Sequence, residues 1–392
     1  MLSPLIDHVA NGSVELLPRT GGAVGGPAEG IQFLNRTAEL AELEDSLRKG
    51  MSFFLQAPRR MGKTSVMRRL ESTLSEDFET LFLNLERNPR PEECAARLRS
   101  EVTKEGLHAA RRAAKENAYQ VLHDSVASLC ERAGKPMVFF VDELVAALEA
   151  IKQEAKDESA RRQRTVSFLA ALGGPLKLYG ARMVVAGSIN WLDYLDSELG
   201  LKQQELPGQF ADLSRRILKP LDLEDPECEL RRLLLGSALV AEPEDIAWLC
   251  EHVDLTVPFP AVKFLDQVAG ETKASGNVDV AELKLLLEEF LRTTDAFADF
   301  DEHLNKKSPS REATDAIGEA LTAIAREPFE VGVSRERVNT ALLHAGGKSA
   351  KKLDTWLRET FPVIIENNKA RFASRLFRLW WLSQVGEASA DE

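Results

Sequence analysis

Eight consecutive residues, Ala57-Pro58-Arg59-Arg60-Met61-Gly62-Lys63-Thr64, have the spacing [AG]-x4-G-K-[ST] of a phosphate-binding loop. A polyphosphate makes three demands at one place. Backbone N–H groups must converge on its oxygens, which favours a loop that opens a helix and a glycine where the chain bends, here Gly62. A lysine must reach the β and γ oxygens, and Lys63 stands there. A hydroxyl must ligate Mg2+, and Thr64 follows directly, with Ser65 behind it. The first position is Ala57 rather than glycine, which removes some backbone freedom. The whole stretch Ala57 to Ser65 is the expected ligand cradle.

Three further clusters could act on what the loop holds. Val138-Phe139-Phe140-Val141 is followed at once by Asp142 and Glu143. Beside a phosphate loop, the first carboxylate can hold Mg2+ through water, and the second can polarise an attacking water as a general base. A solvated acidic turn is the alternative. Ala186-Gly187-Ser188-Ile189-Asn190 ends another apolar run. Ser188 or Asn190 there could report a γ-phosphate by hydrogen bond, or the stretch is an ordinary polar turn. Leu213-Ser214-Arg215-Arg216 reads as a helix end before a last strand. Either arginine could complete a neighbour's site as an arginine finger, or both are surface residues.

These clusters need a scaffold that brings strand ends together. Five apolar runs alternate with helical patterns: Ser52–Leu55, Thr80–Leu85, Met137–Val141, Met183–Ala186 and Ile217–Leu221. Continuous rather than alternating apolar residues suit strands buried on both faces of a parallel sheet. The intervening segments are long enough for crossover helices. The expected organisation is an α/β fold with a five-stranded parallel sheet over 31–221, after a loose, Gly-rich arm at 1–30. From 222 to 295 the pattern is helical throughout and predicts a small lid. Residues 296–311 lose that period and read as a linker.

The C-terminal module, 312–385, shows three helical segments. After them come Pro362 to Glu366, Asn367-Asn368 and Ala370 to Ala373, a hairpin with a tight turn. Three helices and a hairpin make a winged helix. Its third helix leaves Lys348, Lys351, Lys352, Thr355 and Arg358 for phosphates of double-stranded DNA. A solvated basic face or a protein-docking surface explains them equally. Trp380 and Trp381 read as core.

The 392 residues allow two or three domains. Net charge is −12, yet residues 305–384 carry fourteen lysines and arginines against nine acids. The body is acidic and one module mildly basic, which permits nucleic-acid contact there without demanding it. Cys94, Cys130, Cys228 and Cys250 show neither metal-ligand spacing nor a disulfide framework. Apolar runs reach only strand length, and the first residues lack a secretory pattern. A cytoplasmic location without membrane contact is expected.

FLNRTAEL, APRRMGKTS, VFFVDEL, VAGSIN and ILKPLDLEDPE, in this order, resemble the archaeal-type ATPases of the AAA+/STAND P-loop NTPase group. The resemblance covers about Phe33 to Arg292, and a trailing winged helix is usual in such chains. It implies a five-stranded parallel sheet with a helical lid, ATP and Mg2+ as ligands, and Mg2+-dependent hydrolysis that drives a switch. It places Phe33 and Arg36 near the adenine, Lys63 and Thr64 on phosphate and Mg2+, and Glu143 as the hydrolytic base. Partners implied are a protein, DNA or further copies of the chain. A DNA-binding initiator or loader, and an ATP-binding scaffold with little turnover, are the competing expectations. Where the group often has Gly-x-Pro or His-Pro-Tyr at the lid-helix start, this chain has Val257-Pro258-Phe259-Pro260.

Overall fold

The computed structural model describes residues 33–386, except 35, 104–109, 112–114, 116, 188–189, 237–238, 272–276, 307–309 and 347–349. The N-terminal arm, Ser188 and Lys348 therefore lie outside the described residues. By contacts the chain divides into two units. One holds residues 37–57 and 63–218; the other holds the described residues of 1–36, 58–62 and 219–392.

In the first unit, α1 (Thr37–Arg48) leads to β1 (Phe53–Gln56), which runs through the loop into α2 (Lys63–Leu74). Next come β2 (Glu79–Asn84), α3 (Pro91–Thr103) and α4 (Ala118–Arg132). Then follow β3 (Met137–Asp142), α5 (Leu144–Glu154), α6 (Glu158–Leu178), β4 (Arg182–Ala186), α7 (Trp191–Leu199) and β5 (Ser214–Ile217). The strands lie in the order β2-β3-β4-β1-β5, and every neighbouring pair is parallel. The chain moves from β1 out to β2 and returns through β3 and β4. The carboxyl ends of β1 and β3 thus flank that of β4, at the kind of crossover where open α/β sheets bind ligands. Every residue of β1 and β3 is buried, as their unbroken apolar runs require.

One close crossing fixes the β1 side of this sheet. Gly208 has φ +63°, and a Cβ there would lie 2.3 Å from the carbonyl carbon of Gly173 in α6. Only glycine meets both the backbone conformation and the spacing. The crossing seats Phe210 edge-on against Trp191 at 5.7 Å, and Trp191 edge-on against Phe54 of β1 at 5.9 Å.

The fifth strand departs from the expectation. It spans Ser214–Ile217 rather than 217–221. Its ladder to β1 runs from Ser214 to Ile217, and the Leu218 N–H donates to the Gln56 carbonyl at 2.9 Å. Pro220 has no N–H to extend it. Arg215 and Arg216 are therefore strand residues, not the end of a helix. Charged side chains suit this position, because β5 is an edge strand.

The second unit continues with α8 (Pro226–Gly236), β6 (Val240–Ala241), α9 (Pro243–His252), α10 (Pro258–Glu271), β7 (Asn277–Val278) and α11 (Val280–Thr293). After them stand α12 (Ala298–Lys306), α13 (Arg311–Arg326), β8 (Val333–Ser334), α14 (Arg335–Gly346) and α15 (Ala350–Thr360). The hairpin β9 (Val363–Glu366) and β10 (Lys369–Phe372) precedes α16 (Arg375–Gln384). β8, β10 and β9 form an antiparallel sheet. Asn367 and Asn368 turn the hairpin with φ of 49° and 61°, as a type I′ turn needs. Three helices with this small sheet form the winged-helix arrangement.

The stretch read as a linker is largely helix α12. Its polar face hid Phe297, Phe300 and Leu304, which are buried. One hydrophobic core runs without a break from Leu221 and helices α8 to α11 through α12 into α13, α15 and α16. A buried carboxylate joins the same parts. Asp254 accepts hydrogen bonds from the Ser374 hydroxyl at 3.2 Å and the Arg375 N–H at 2.6 Å, at the start of α16. Burial pushes its carboxyl up from the usual range, against those bonds and the ones from Thr256. Among the described residues no helix is long and apolar enough to cross a membrane.

Candidate functional site

At the flanks of the loop, in the first unit, Lys63 opens α2 and is almost wholly buried. Its Nζ donates to the Ala57 carbonyl at 2.8 Å, bracing the two ends of the loop against each other. Thr64 Oγ1 donates to Asp142 Oδ2 at 2.8 Å. Two side chains far apart in sequence thus meet across the tip of β4. Asp142 is 2% exposed. Burial raises its carboxyl above the usual range; the Thr64 hydroxyl and, more weakly, Lys63 and the Glu143 N–H oppose this, while Glu143's charge adds to it. Beside them, Gln56 is buried at the end of β1, and neither of its amide atoms has a hydrogen-bond partner among the described residues.

Glu143 caps α5 with φ 55° and ψ 47°, a left-handed conformation that costs a non-glycine residue about 1 kcal/mol or more. The residue stands directly after the buried carboxylate of Asp142. Asn190 caps α7: its Oδ1 accepts from the Leu192 N–H at 3.2 Å, and its Nδ2 donates to Asp193 at 2.9 Å. Arg216 donates to Glu42 at 3.3 Å and Ser46 at 3.2 Å, on α1. Arg215 is exposed on β5.

The middle of the loop belongs to the second unit. Gly62 has φ +86° and Arg60 has φ +62°. Arg36, 5% exposed, donates to the Met61 carbonyl at 3.1 Å and the Lys219 carbonyl at 2.8 Å. It therefore grips the loop backbone. Phe33 is half-buried next to Leu34, which joins the second unit's core. Arg59 Nη1 donates to Asp299 Oδ1 at 2.7 Å, and Arg60 Nε to Asp299 Oδ2 at 2.6 Å. The Arg60 guanidinium also lies 4.0 Å over the Phe259 ring. Asp299 and Phe259 were invisible as site residues in sequence. The first lay in an apparent linker, and the second among apolar neighbours.

On the winged helix, Lys351 and Lys352 are exposed on α15. Arg358 is exposed as well, and it pairs with Asp354 at 2.9 Å, whose same oxygen pairs with Arg335 at 3.0 Å.

The donor set at the loop's flank fits Mg2+. Thr64 Oγ1 and Asp142 Oδ2, 2.8 Å apart, are hard oxygen donors of the kind Mg2+ takes, directly or through water. No group of three or more His, Cys, Asp or Glu able to hold a metal occurs among the described residues. One carboxylate and one hydroxyl completed by phosphate oxygens is the usual Mg2+ arrangement.

Neither a protein-family model nor a curated protein matches this sequence. Solved structures do. A Walker-type ATPase of Pyrococcus abyssi superposes with a TM-score of 0.59 at 17% identity, covering 91% of this chain and 97% of that one. The Aeropyrum pernix Orc1 protein, solved with DNA, gives 0.41 at 16% identity over 91% and 94% of the two chains. Thermotoga maritima RuvB gives 0.43 at 12% over 93% and 98%. The last two are too distant to carry an argument. The first shows that this chain shares the fold of that protein, in keeping with the sheet order and loop described above.

Proposed function

We propose that the chain is a Mg2+-dependent ATPase acting as a nucleotide-driven switch, with its winged helix as the output to a protein partner or to DNA. The Thr64–Asp142 contact at 2.8 Å carries this reading, since it joins the loop hydroxyl to the acidic strand tip. Residues Ala57 to Ser65 would cradle the phosphates, and Lys63 would exchange the Ala57 carbonyl for β and γ oxygens. Thr64 and Asp142 would hold Mg2+, which when bound neutralises charge on the phosphates. Glu143 would orient a water and take its proton. Asn190, and Ser188 outside the described residues, would serve the γ-phosphate side. Arg215 or Arg216, both on the edge strand, would enter a neighbouring copy's site as an arginine finger.

Steady-state ATPase and nucleotide-binding measurements on Lys63→Ala and Glu143→Gln test this. Lys63→Ala should abolish binding. Glu143→Gln should bind as wild type and lose about 10²-fold or more in turnover. Binding without turnover in the wild type would favour the scaffold reading. The exposed pair Lys351 and Lys352 supports a DNA arm for the output. Binding to a duplex should then weaken steeply with salt, and less steeply in Lys351→Ala/Lys352→Ala. A flat salt response would point to a protein partner.

A further inference from the structure

The loop's two arginines have the same anchor, and that anchor grows out of the C-terminal core. Asp299 accepts from Arg59 and Arg60 with separate oxygens, at 2.7 and 2.6 Å. A second grip stands beside the first: Phe259 of α10 carries the Arg60 guanidinium on its face, and Lys263, one turn on, pairs with Asp295. Asp299 sits between Phe297 and Phe300, each 1% exposed. Phe297 stacks on Trp380 at 4.7 Å, and Phe300 meets Phe377 edge-on at 4.8 Å, both in α16. A carboxylate seated by winged-helix aromatics therefore holds the side chains of a phosphate loop.

We propose that Asp299 is a positioning residue for nucleotide binding, and the link through which the winged helix and the loop bias each other. The inference rests on the nucleotide reading above. Its physical basis is the conformation of Arg60. At φ +62° the backbone is one that residues with a side chain seldom adopt. Asp299 and Phe259 fix the side chain on either side, so the strained backbone is settled before a ligand arrives. Binding then does not have to order the loop. Displacing α12 releases both arginines together. Whatever binds the winged helix and shifts α12 must change nucleotide affinity, and nucleotide must change the winged helix's affinity by the same factor.

The test uses the full chain, with Mg2+ and a non-hydrolysable ATP analogue as probe. Asp299→Ala and the isosteric Asp299→Asn should each weaken binding about tenfold, raising KM with kcat within twofold. In the wild type, the analogue should slow hydrogen exchange in residues 297–306 and 375–384. In Asp299→Ala it should not. Wild-type affinity and exchange protection in both Asp299 variants, with only the melting temperature lowered, would overturn the inference and leave a structural ion pair. A wild-type chain that binds no analogue would overturn the nucleotide reading, and this one with it.

Discussion

Asp142 and Asp299 each touch the phosphate loop, and their surroundings treat them in opposite ways. Asp142 is buried at the tip of β3, and what faces it is a hydroxyl, an amide and one lysine turned to a carbonyl. Its carboxyl is pushed above the usual range by that burial. Asp299 is also desolvated, but the guanidinia of Arg59 and Arg60 outweigh this and hold its carboxyl below the usual range. One carboxylate has its counter-charge built into the chain. The other is arranged as if a cation were to be supplied from outside. A buried charge without a matched partner is tolerated where function needs it, and a paired one where geometry needs holding.

Substitutions should separate the two. The largest effect is expected for Asp142→Asn: turnover about 10²-fold lower, with thermal stability equal to or above wild type, because a desolvated charge is removed. A fall in melting temperature without loss of turnover would erase the contrast. Asp299→Asn should do the reverse to stability, lowering it by about 1–2 kcal/mol at neutral pH in chemical denaturation. That difference should also depend on pH with a definite sign. A depressed carboxyl stabilises the fold above the ordinary aspartate range. The stabilisation fades as pH falls through the depressed value, so wild type and Asp299→Asn should converge in acid. The smallest effect, about 0.5–1 kcal/mol, belongs to Arg59→Gln, since Arg60 remains on the same carboxylate.

The parts legible in sequence were those whose chemistry is local. The loop spacing, the apolar run ending in Asp142 and the paired asparagines of the hairpin each declare themselves within a few residues. The fifth strand was misplaced because apolarity favoured Ile217 to Leu221. An edge strand is defined by its ladder, and it accepts Arg215 and Arg216. Helix α12 was missed because its buried apolar residues, Phe300 and Leu304 with Phe297 just before it, are few among polar ones. Asn190 reads in sequence as a polar residue after an apolar run; that it also caps α7, with both ends of its amide engaged, is set by where that helix starts. Arg36 also grips the loop backbone at Met61, a contact 25 residues away along the chain that no local pattern announces. The Asp299 clamp had no signal at all, because its partners lie 239 and 240 residues away along the chain.

The unbroken core from Leu221 to Leu382 also sets how this chain can be cut. A break at Ser310 would leave Phe297, Phe300 and Leu304 facing water on one fragment, and Phe377 and Trp380 on the other. Neither piece would be a self-sufficient domain, and each would be prone to aggregate. The C-terminal portion is therefore not a cassette to be grafted onto another protein, and heat should melt it together with the helices before it.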